Sequence, residues 1–280
     1  MDTKKVWLVT GASKGLGLTL VKTLLNHGYQ VAATSRSLNA LENAVGKQEA
    51  FLPLQVDLMN EESVGSAISK VLETFGHLDV VVNNAGYGQN GTLEEITDEE
   101  SRQNFDVNVF GLLNVIRKSI PHLREQQSGH IFNIASIAGM IATFPGFGVY
   151  CATKFAVVGL TEALSAEVGP FGVHATVVYP GYFRTEFLSD DSLKLAKNRM
   201  DVYAQARESE RLHKEEIAGN QLGDPEKAAE VLIKVAESDD PALHLFLGSD
   251  SYDLAQQKLK TLETALEANK ALSHSTDFKN

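Results

Sequence analysis

Tyr150 and Lys154 stand four residues apart in the run Tyr150-Cys151-Ala152-Thr153-Lys154. On a helix, that spacing stacks the two side chains one turn apart on one face. A phenol is a weak acid, with an ordinary pKa of about 10. A neighbouring ammonium favours the phenolate and lowers that value. Bringing it to about 7 takes roughly 4 kcal/mol, and one close cation in a poorly solvated site can supply much of that. The pair is therefore a candidate proton donor and acceptor. Many helix surfaces carry such a pair, so it needs company. Ser136 stands fourteen residues earlier, after the apolar run 131–135. A strand over that run puts Ser136 at its carboxyl end, where open α/β sheets bind ligands.

A second group of residues suits a dinucleotide. Gly11-Ala12-Ser13-Lys14-Gly15-Leu16-Gly17 follows a strand-like run at 6–10 and precedes a helix-like one. A glycine-rich turn in that place lets backbone amides approach a pyrophosphate at a helix N-terminus. The second strand, over 29–34, ends in Ser35 and Arg36, where such folds usually carry an acid for the adenosine ribose. An acid there would repel a 2′-phosphate, whereas Arg36 pairs with one, and Lys14 is a second cation within reach. Both residues point to NADP rather than NAD. Asp57 can accept a bond from an adenine amino group or cap the helix starting near Glu61. Asn83-Asn84-Ala85-Gly86 closes the fourth strand. Its small residues let backbone approach a cofactor, and Asn83 can tie neighbouring strands together. Asn108, inside a helical region, is a poor helix former that seeks partners. It reads as a local kink, as a packing hydrogen bond, or as a water-holding link to Lys154.

The elements that must hold these residues alternate along the chain. Strands are expected over 6–10, 29–34, 51–56, 78–82, 131–135, 174–178 and 242–247, with helices between them, one of them opening at Tyr150 and another over 225–237. The alternation argues an α/β, doubly wound, mostly parallel sheet with helices on both faces. Thr97-Asp98-Glu99-Glu100 reads as a capping box, and the acids from Glu94 to Glu100 as a solvated helix start with no catalytic role. Residues 183–222 break the rhythm and read as a lid over the substrate. Residues 251–271 carry helical apolar spacing at Leu254, Leu259, Leu262 and Leu266, which suits a helix packed on the body or on another subunit. One domain over 1–280 accommodates all of this.

Composition narrows the class. The 280 residues are 43% hydrophobic with a formal charge of −11, and no basic run suits nucleic acid. There is no 18-residue apolar run for a membrane span, and the start does not read as a signal peptide. Cys151 is the single cysteine, which excludes an intrachain disulfide and suits a cytoplasmic setting. No residues have metal-ligand spacing.

Taken together, these motifs identify the chain as similar to the short-chain dehydrogenase/reductase superfamily, over residues 5–247. Thr10-Gly11-x-x-x-Gly15-x-Gly17 matches its nucleotide motif and Asn83-Asn84-Ala85-Gly86 its central-strand motif. Asn108, Ser136, Tyr150 and Lys154 match its catalytic tetrad, and Pro180-Gly181 with Thr185 its nicotinamide-carboxamide segment. The resemblance implies a seven-stranded Rossmann sheet, homodimers or homotetramers, and NADP(H). It also implies cofactor contacts from Ser13, Leu16, Leu58 and the other turn residues named above. The implied reaction is hydride transfer between NADPH and a carbonyl carbon, with reversible oxidation of a secondary alcohol. In it Ser136 holds the carbonyl oxygen, Tyr150 protonates it, Lys154 lowers the pKa of Tyr150 and binds the ribose, and Asn108 holds a water. Met140, Ile141, Phe144, Phe147, Tyr182, Phe183, Phe187 and Leu188 are expected to wall a pocket for an apolar ketone or alcohol. Epimerisation or dehydration at the same site, or a non-enzymatic NADP(H)-binding regulator, are the rival readings. Cys151 stands where Ser or Gly is more usual and reads as packing.

Overall fold

A parallel strand covered on both faces has no solvent side, so it reads as an unbroken apolar run. Val6-Trp7-Leu8-Val9 is such a run, and all four residues are buried. The computed structural model describes residues 4–278. Its strands are β1 (Val6–Val9), β2 (Gln30–Ser35), β3 (Phe51–Gln55), β4 (Val80–Asn83), β5 (Gly88–Asn90), β6 (Gly129–Ile134), β7 (Val173–Pro180), β8 (Leu193–Leu195) and β9 (His244–Leu247). Its helices are α1 (Gly15–Asn26), α2 (Leu38–Val45), α3 (Glu61–Phe75), α4 (Asp98–Phe105), α5 (Gly111–Gln126), α6 (Gly148–Val168), α7 (Ala204–Arg211), α8 (Pro225–Ala236) and α9 (Ser249–His274). Seven strands form one sheet in the order β3-β2-β1-β4-β6-β7-β9, every neighbouring pair parallel. These are the seven expected strands, with ends moved by a residue or two.

The chain winds outward from β1 in one direction and from β4 in the other. The order therefore reverses between them, and a crevice opens there at the carboxyl ends of the strands. Helices cover both faces and two apolar clusters fill them, one under α3, α5 and α6, the other under α1 and α8. Asn83 ties strands together as expected. Its amide donates to Asn133 Oδ1 at 2.8 Å, and Asn133 in turn donates to Thr161 on α6 at 2.9 Å.

Two strands had no counterpart in the sequence reading. β5 and β8 pair in parallel as a separate ribbon, which joins the stretch after Asn84-Ala85-Gly86 to the 183–222 segment. Asp57 does not cap α3. Asn60 does, accepting from Glu62 N and Ser63 N, because it sits immediately before the first helical residue. Asp57 accepts from Met59 N instead. α9 is rooted over its first two turns: Ser251 donates to Tyr179 O and Asp250 accepts from Tyr182 N, both at 2.7 Å, and Leu254 and Ala255 pack on Ile137 and Ile141. Residues 261–274 are exposed, so the outer half of α9 does not pack on the body.

Candidate active site

Ser136 stands two residues past the end of β6, and its hydroxyl accepts from Ala138 N at 3.1 Å, which opens a short 3₁₀ turn. α6 begins two residues before Tyr150, so Tyr150 and Lys154 occupy successive turns beside the end of β6. Both are buried, at 7% and 5% exposure. Lys154 Nζ donates to Ile134 O at 2.8 Å and lies 5.8 Å from the centroid of the Tyr150 ring. Asn108 sits in a π-helical turn, Asp106–Phe110, between α4 and α5. Its Oδ1 accepts from Tyr87 N and its amide donates to Tyr87 O and Thr153 Oγ1. The kink and the packing hydrogen bonds are thus both present. Asn108 is not part of the cleft wall. It backs Gly86, where an added Cβ would lie 3.0 Å from Asn108 Oδ1 and 3.7 Å from Lys154 Nζ.

Charge in this cluster differs from expectation. Burial pushes the Tyr150 phenol above its ordinary value; Ser136 hydrogen bonding opposes this without overcoming it. Burial also pulls the Lys154 ammonium down to about 8. The sequence supplies the cation but not its surroundings, and desolvation is the largest influence on both groups. Tyr150 is consequently a protonated phenol at neutral pH. For Lys154, the unfolded chain binds more protons between pH 8 and the ordinary lysine value, so stability rises with pH through that window. Keeping the ammonium charged at neutral pH costs on the order of 3 kcal/mol. Lys154→Met is expected to raise the urea midpoint, by about 1–3 kcal/mol of stability, at pH 7 and to lose that advantage above pH 10. A variant less stable than wild type at pH 7 would contradict this.

One cleft of about 750 Å³ runs from the glycine turn to Tyr150 and on to an aromatic wall. Gly11, Ser13, Lys14, Gly15 and Leu16 line its first part, with Ser35, Arg36, Asp57 and Leu58 opposite and Asn84, Ala85 and Gly86 as floor. The fit to a phosphate-bearing group can be tested on α1. Side chains cap α2, α3, α4 and α8, through Ser37, Asn60, Thr97 and Asp224. α1, like α5, α6, α7 and α9, has no side-chain cap, and it has no acid in its first turn. Its free N–H groups and positive dipole end face the cleft, ready for an anion. Gly15 has φ +60°, and a Cβ there would project toward Thr185 with nothing nearer than 3.8 Å. Lys14 and Arg36 form no ion pair among the described residues. Gly17 corrects the reading: it does not line the cleft. A Cβ there would lie 2.4 Å from Asn84 Nδ2, the amide that donates to Thr10 O and Gly11 O and so braces the turn.

Pro180, Gly181 and Thr185 border the cleft beyond Lys154, and Phe144, Phe147, Tyr182, Phe183, Phe187 and Leu188 wall its far part. Met140 and Ile141 do not. They pack with Ile137, Phe246 and Ala255 beneath α9, because the 3₁₀ turn after Ser136 faces them inward. Cys151 is buried against Phe147 and Leu188, and burial pushes its thiol up to about 11, which leaves it inert.

Several site residues escaped the sequence reading. The acids at 94–100 are not uniformly solvated. Glu95 is fully buried and accepts from Thr92 N, Met200 N at 2.6 Å and Arg207 Nη2 at 2.8 Å. Glu100 accepts from Lys197 N at 3.0 Å while completing the capping box with Thr97. Two carboxylates thus fasten residues 196–207 beside the cleft. Burial pushes the Glu95 carboxyl up, but these donors outweigh it and hold it below its ordinary value. Its contribution to stability is therefore fully present above the ordinary glutamate value and lost as pH falls below that value through the lowered folded one. Glu95→Gln takes from Arg207 its partner at 2.8 Å and leaves only Glu210 at 3.8 Å, and it should lower stability by about 3 kcal/mol at pH 7. The gap to wild type should close in acid denaturation; a gap that persists below pH 3 would refute the charge argument. His213 and Gln221 also line the cleft, and Asp250 grips the Pro180-Gly181 turn from α9.

Known proteins share this chain's sequence pattern and fold. The family model described as short chain dehydrogenase matches residues 5–196. Oxidoreductase BOA17 of Botryotinia fuckeliana is 33% identical over 96% of this chain and 98% of its own length. A short-chain dehydrogenase from Streptomyces avermitilis superposes with TM-score 0.90 at 33% identity, covering 99% of this chain and all of that one. The 3-ketoacyl-(acyl-carrier-protein) reductase of Brucella melitensis, solved with NADH, gives TM-score 0.73 at 26% identity over 88% and 98% of the two chains. ElxO, solved with NADP, gives 0.72 at 27% over 87% and 97%. With a Ser-Tyr-Lys cluster at the carboxyl end of a doubly wound sheet and relatives along nearly its whole length, the chain belongs to the short chain dehydrogenase family of oxidoreductases.

Proposed function

We propose that the protein is an NADP(H)-dependent reductase of apolar ketones and aldehydes, able to run in reverse on secondary alcohols. The carrying observation is Tyr150, a protonated phenol at 7% exposure in a cleft that joins an anion-ready glycine turn to an aromatic wall. Neighbours hold NADH or NADP. Arg36 and Lys14, both cationic and unpaired among the described residues, favour the 2′-phosphate form here. When bound, NADPH supplies the hydride. The Ser136 hydroxyl donates to the substrate carbonyl oxygen and fixes its direction. Tyr150 gives that oxygen its proton as negative charge develops there. Lys154 donates to the ribose hydroxyls and keeps its charge close to the phenol. Asn108, behind Gly86, orients the water through which that amine is reprotonated. The 183–222 segment closes the substrate side as a lid, and Phe144, Phe147 and Phe187 exclude water from the reacting atoms.

The same reading includes a homodimer or homotetramer, since Leu259, Leu262 and Leu266 stand in solvent along α9 and a second copy can cover them. It also includes a reducing cytoplasm, which suits the single buried thiol. Among the described residues no helix is long and apolar enough to cross a membrane.

The test is NADPH consumption over a panel of ketones, aldehydes, diketones and sugars. Turnover of hydrophobic ketones is expected. Turnover of polar sugars alone would overturn the substrate class. Product formation without net cofactor consumption would indicate epimerisation or dehydration, and tight NADPH binding without any turnover would indicate a regulator.

A further inference from the structure

Two π-helical turns occur among the described residues, and such turns gather at functional sites. One carries Asn108. The other, Leu212–Ile217, carries His213, which has no part in the reduction described above. His213 Nε2 lies 2.8 Å from the Tyr182 hydroxyl, and its Nδ1 lies 2.6 Å from Ser209 O. A carbonyl only accepts, so Nδ1 carries the proton and Nε2 is a bare acceptor. The Tyr182 O–H is therefore spent on His213, and its oxygen presents lone pairs only. Burial holds His213 below its ordinary value and pushes the Tyr182 phenol up to about 12, so both stay neutral.

The pair is held firmly. Asp250 accepts from Tyr182 N, and the His213 ring packs on Phe147 with centroids 4.8 Å apart. Phe147 in turn lies 6.5 Å from Tyr150, so the pair stands one aromatic ring away from the proton donor. Gln221, at the end of the same segment, lines the cleft at 3% exposure, and its Oε1 has no hydrogen-bond partner. A buried acceptor without a donor is costly, and such atoms in a wall demand an explanation. Here two acceptors, the Tyr182 oxygen and Gln221 Oε1, belong to residues that border the aromatic part of the cleft. The complement is an apolar body carrying one hydrogen-bond donor.

We propose that Tyr182, oriented by His213, forms with Gln221 a second polar subsite that accepts a hydrogen bond from a hydroxyl or amino group of the substrate, away from the reacting carbonyl. The preferred substrate is then an apolar keto-compound bearing such a donor. The proposal rests on the carbonyl-reductase reading for the reacting end of the substrate alone.

The test measures affinity and turnover separately on the NADPH-loaded full chain. Calorimetry compares an acetylnaphthalene with its ring-hydroxylated, ring-aminated and ring-methoxylated analogues. The hydroxyl or amino analogue should bind at least about tenfold tighter than the other two, about 1.4 kcal/mol. A preference for one of these two identifies the donor as alcohol or amine. Tyr182→Phe and Gln221→Leu should each reduce the preference to about twofold. Equal affinities across the set, or an equal loss for all four ligands in Tyr182→Phe, would overturn the subsite. Retention of the affinity ratio with no reduction of any analogue would leave the subsite standing and sink the reductase reading. Reduction of all four without an affinity difference would do the reverse.

Discussion

Tyr150→Phe should lower kcat for carbonyl reduction by about 10³-fold and leave NADPH affinity within about twofold, because a positioned acid contributes on the order of 10²–10⁴. The substitution removes one oxygen and keeps the ring that packs between Phe147 and Phe187. Stability should therefore change little, and denaturant midpoints of the two proteins should agree closely. The size of the effect follows from the protonation state. Burial holds the phenol in its acid form, so at neutral pH almost every molecule is competent to donate. Deleting that proton leaves an oxygen gaining charge with only the Ser136 hydroxyl to stabilise it. Ser136→Ala should cost less, about 10²-fold, since it removes a hydrogen bond and not the proton. A competing phenol in the same cleft is Tyr182, whose hydroxyl is committed to His213. Should Tyr150→Phe retain near wild-type kcat while Tyr182→Phe abolishes it, the acid has been assigned to the wrong ring.

How much of this could be read beforehand depended on whether the determining contacts were local. The strands and the glycine turn were legible because apolar runs, glycines and caps act over a few residues. Ser136, Tyr150 and Lys154 were legible through one inference, that a residue after a central strand meets the start of the next helix. Glu95 was not legible. Its sequence neighbours suit a helix start, and its true partners, Met200 and Arg207, lie over a hundred residues away. Met140 was misread because a turn residue has no periodicity from which to tell inward from outward, and here the core beneath α9 claimed it. Gly17 was misread because a glycine near a phosphate site has two uses, approach to ligand and approach to Asn84, and spacing alone does not separate them. The acidity of Tyr150 was misjudged because the sequence gives the sign of a neighbouring charge and nothing about how dry the pair is.

Arg36→Asp should invert the cofactor preference, lowering kcat/KM with NADPH by about 10²-fold while leaving that with NADH within about threefold. Arg36 follows β2 and its side chain is exposed at the mouth of the cleft, so its replacement should not disturb folding. The backbone around it is fixed independently: Gln55 donates to Arg36 O at 3.1 Å, and Ser37 caps α2 immediately after. Only the head group changes, therefore. A charge-assisted hydrogen bond is worth about 1.5–3 kcal/mol, and a carboxylate facing a 2′-phosphate adds repulsion in place of it. With NADH the same carboxylate can accept from the ribose 2′-hydroxyl, which offsets part of the lost cation. Lys14 remains on the opposite side of the turn, so some attraction for the phosphate survives, and Lys14→Ala added to Arg36→Asp should lower NADPH use again. Because both cations are solvent-accessible, raising the salt concentration should erode the wild-type preference and leave the double variant nearly unaffected. Equal losses with both cofactors in Arg36→Asp would mean that the guanidinium never reaches the phosphate. The preference would then have to be sought elsewhere along the cleft, with Lys14 the first residue to test.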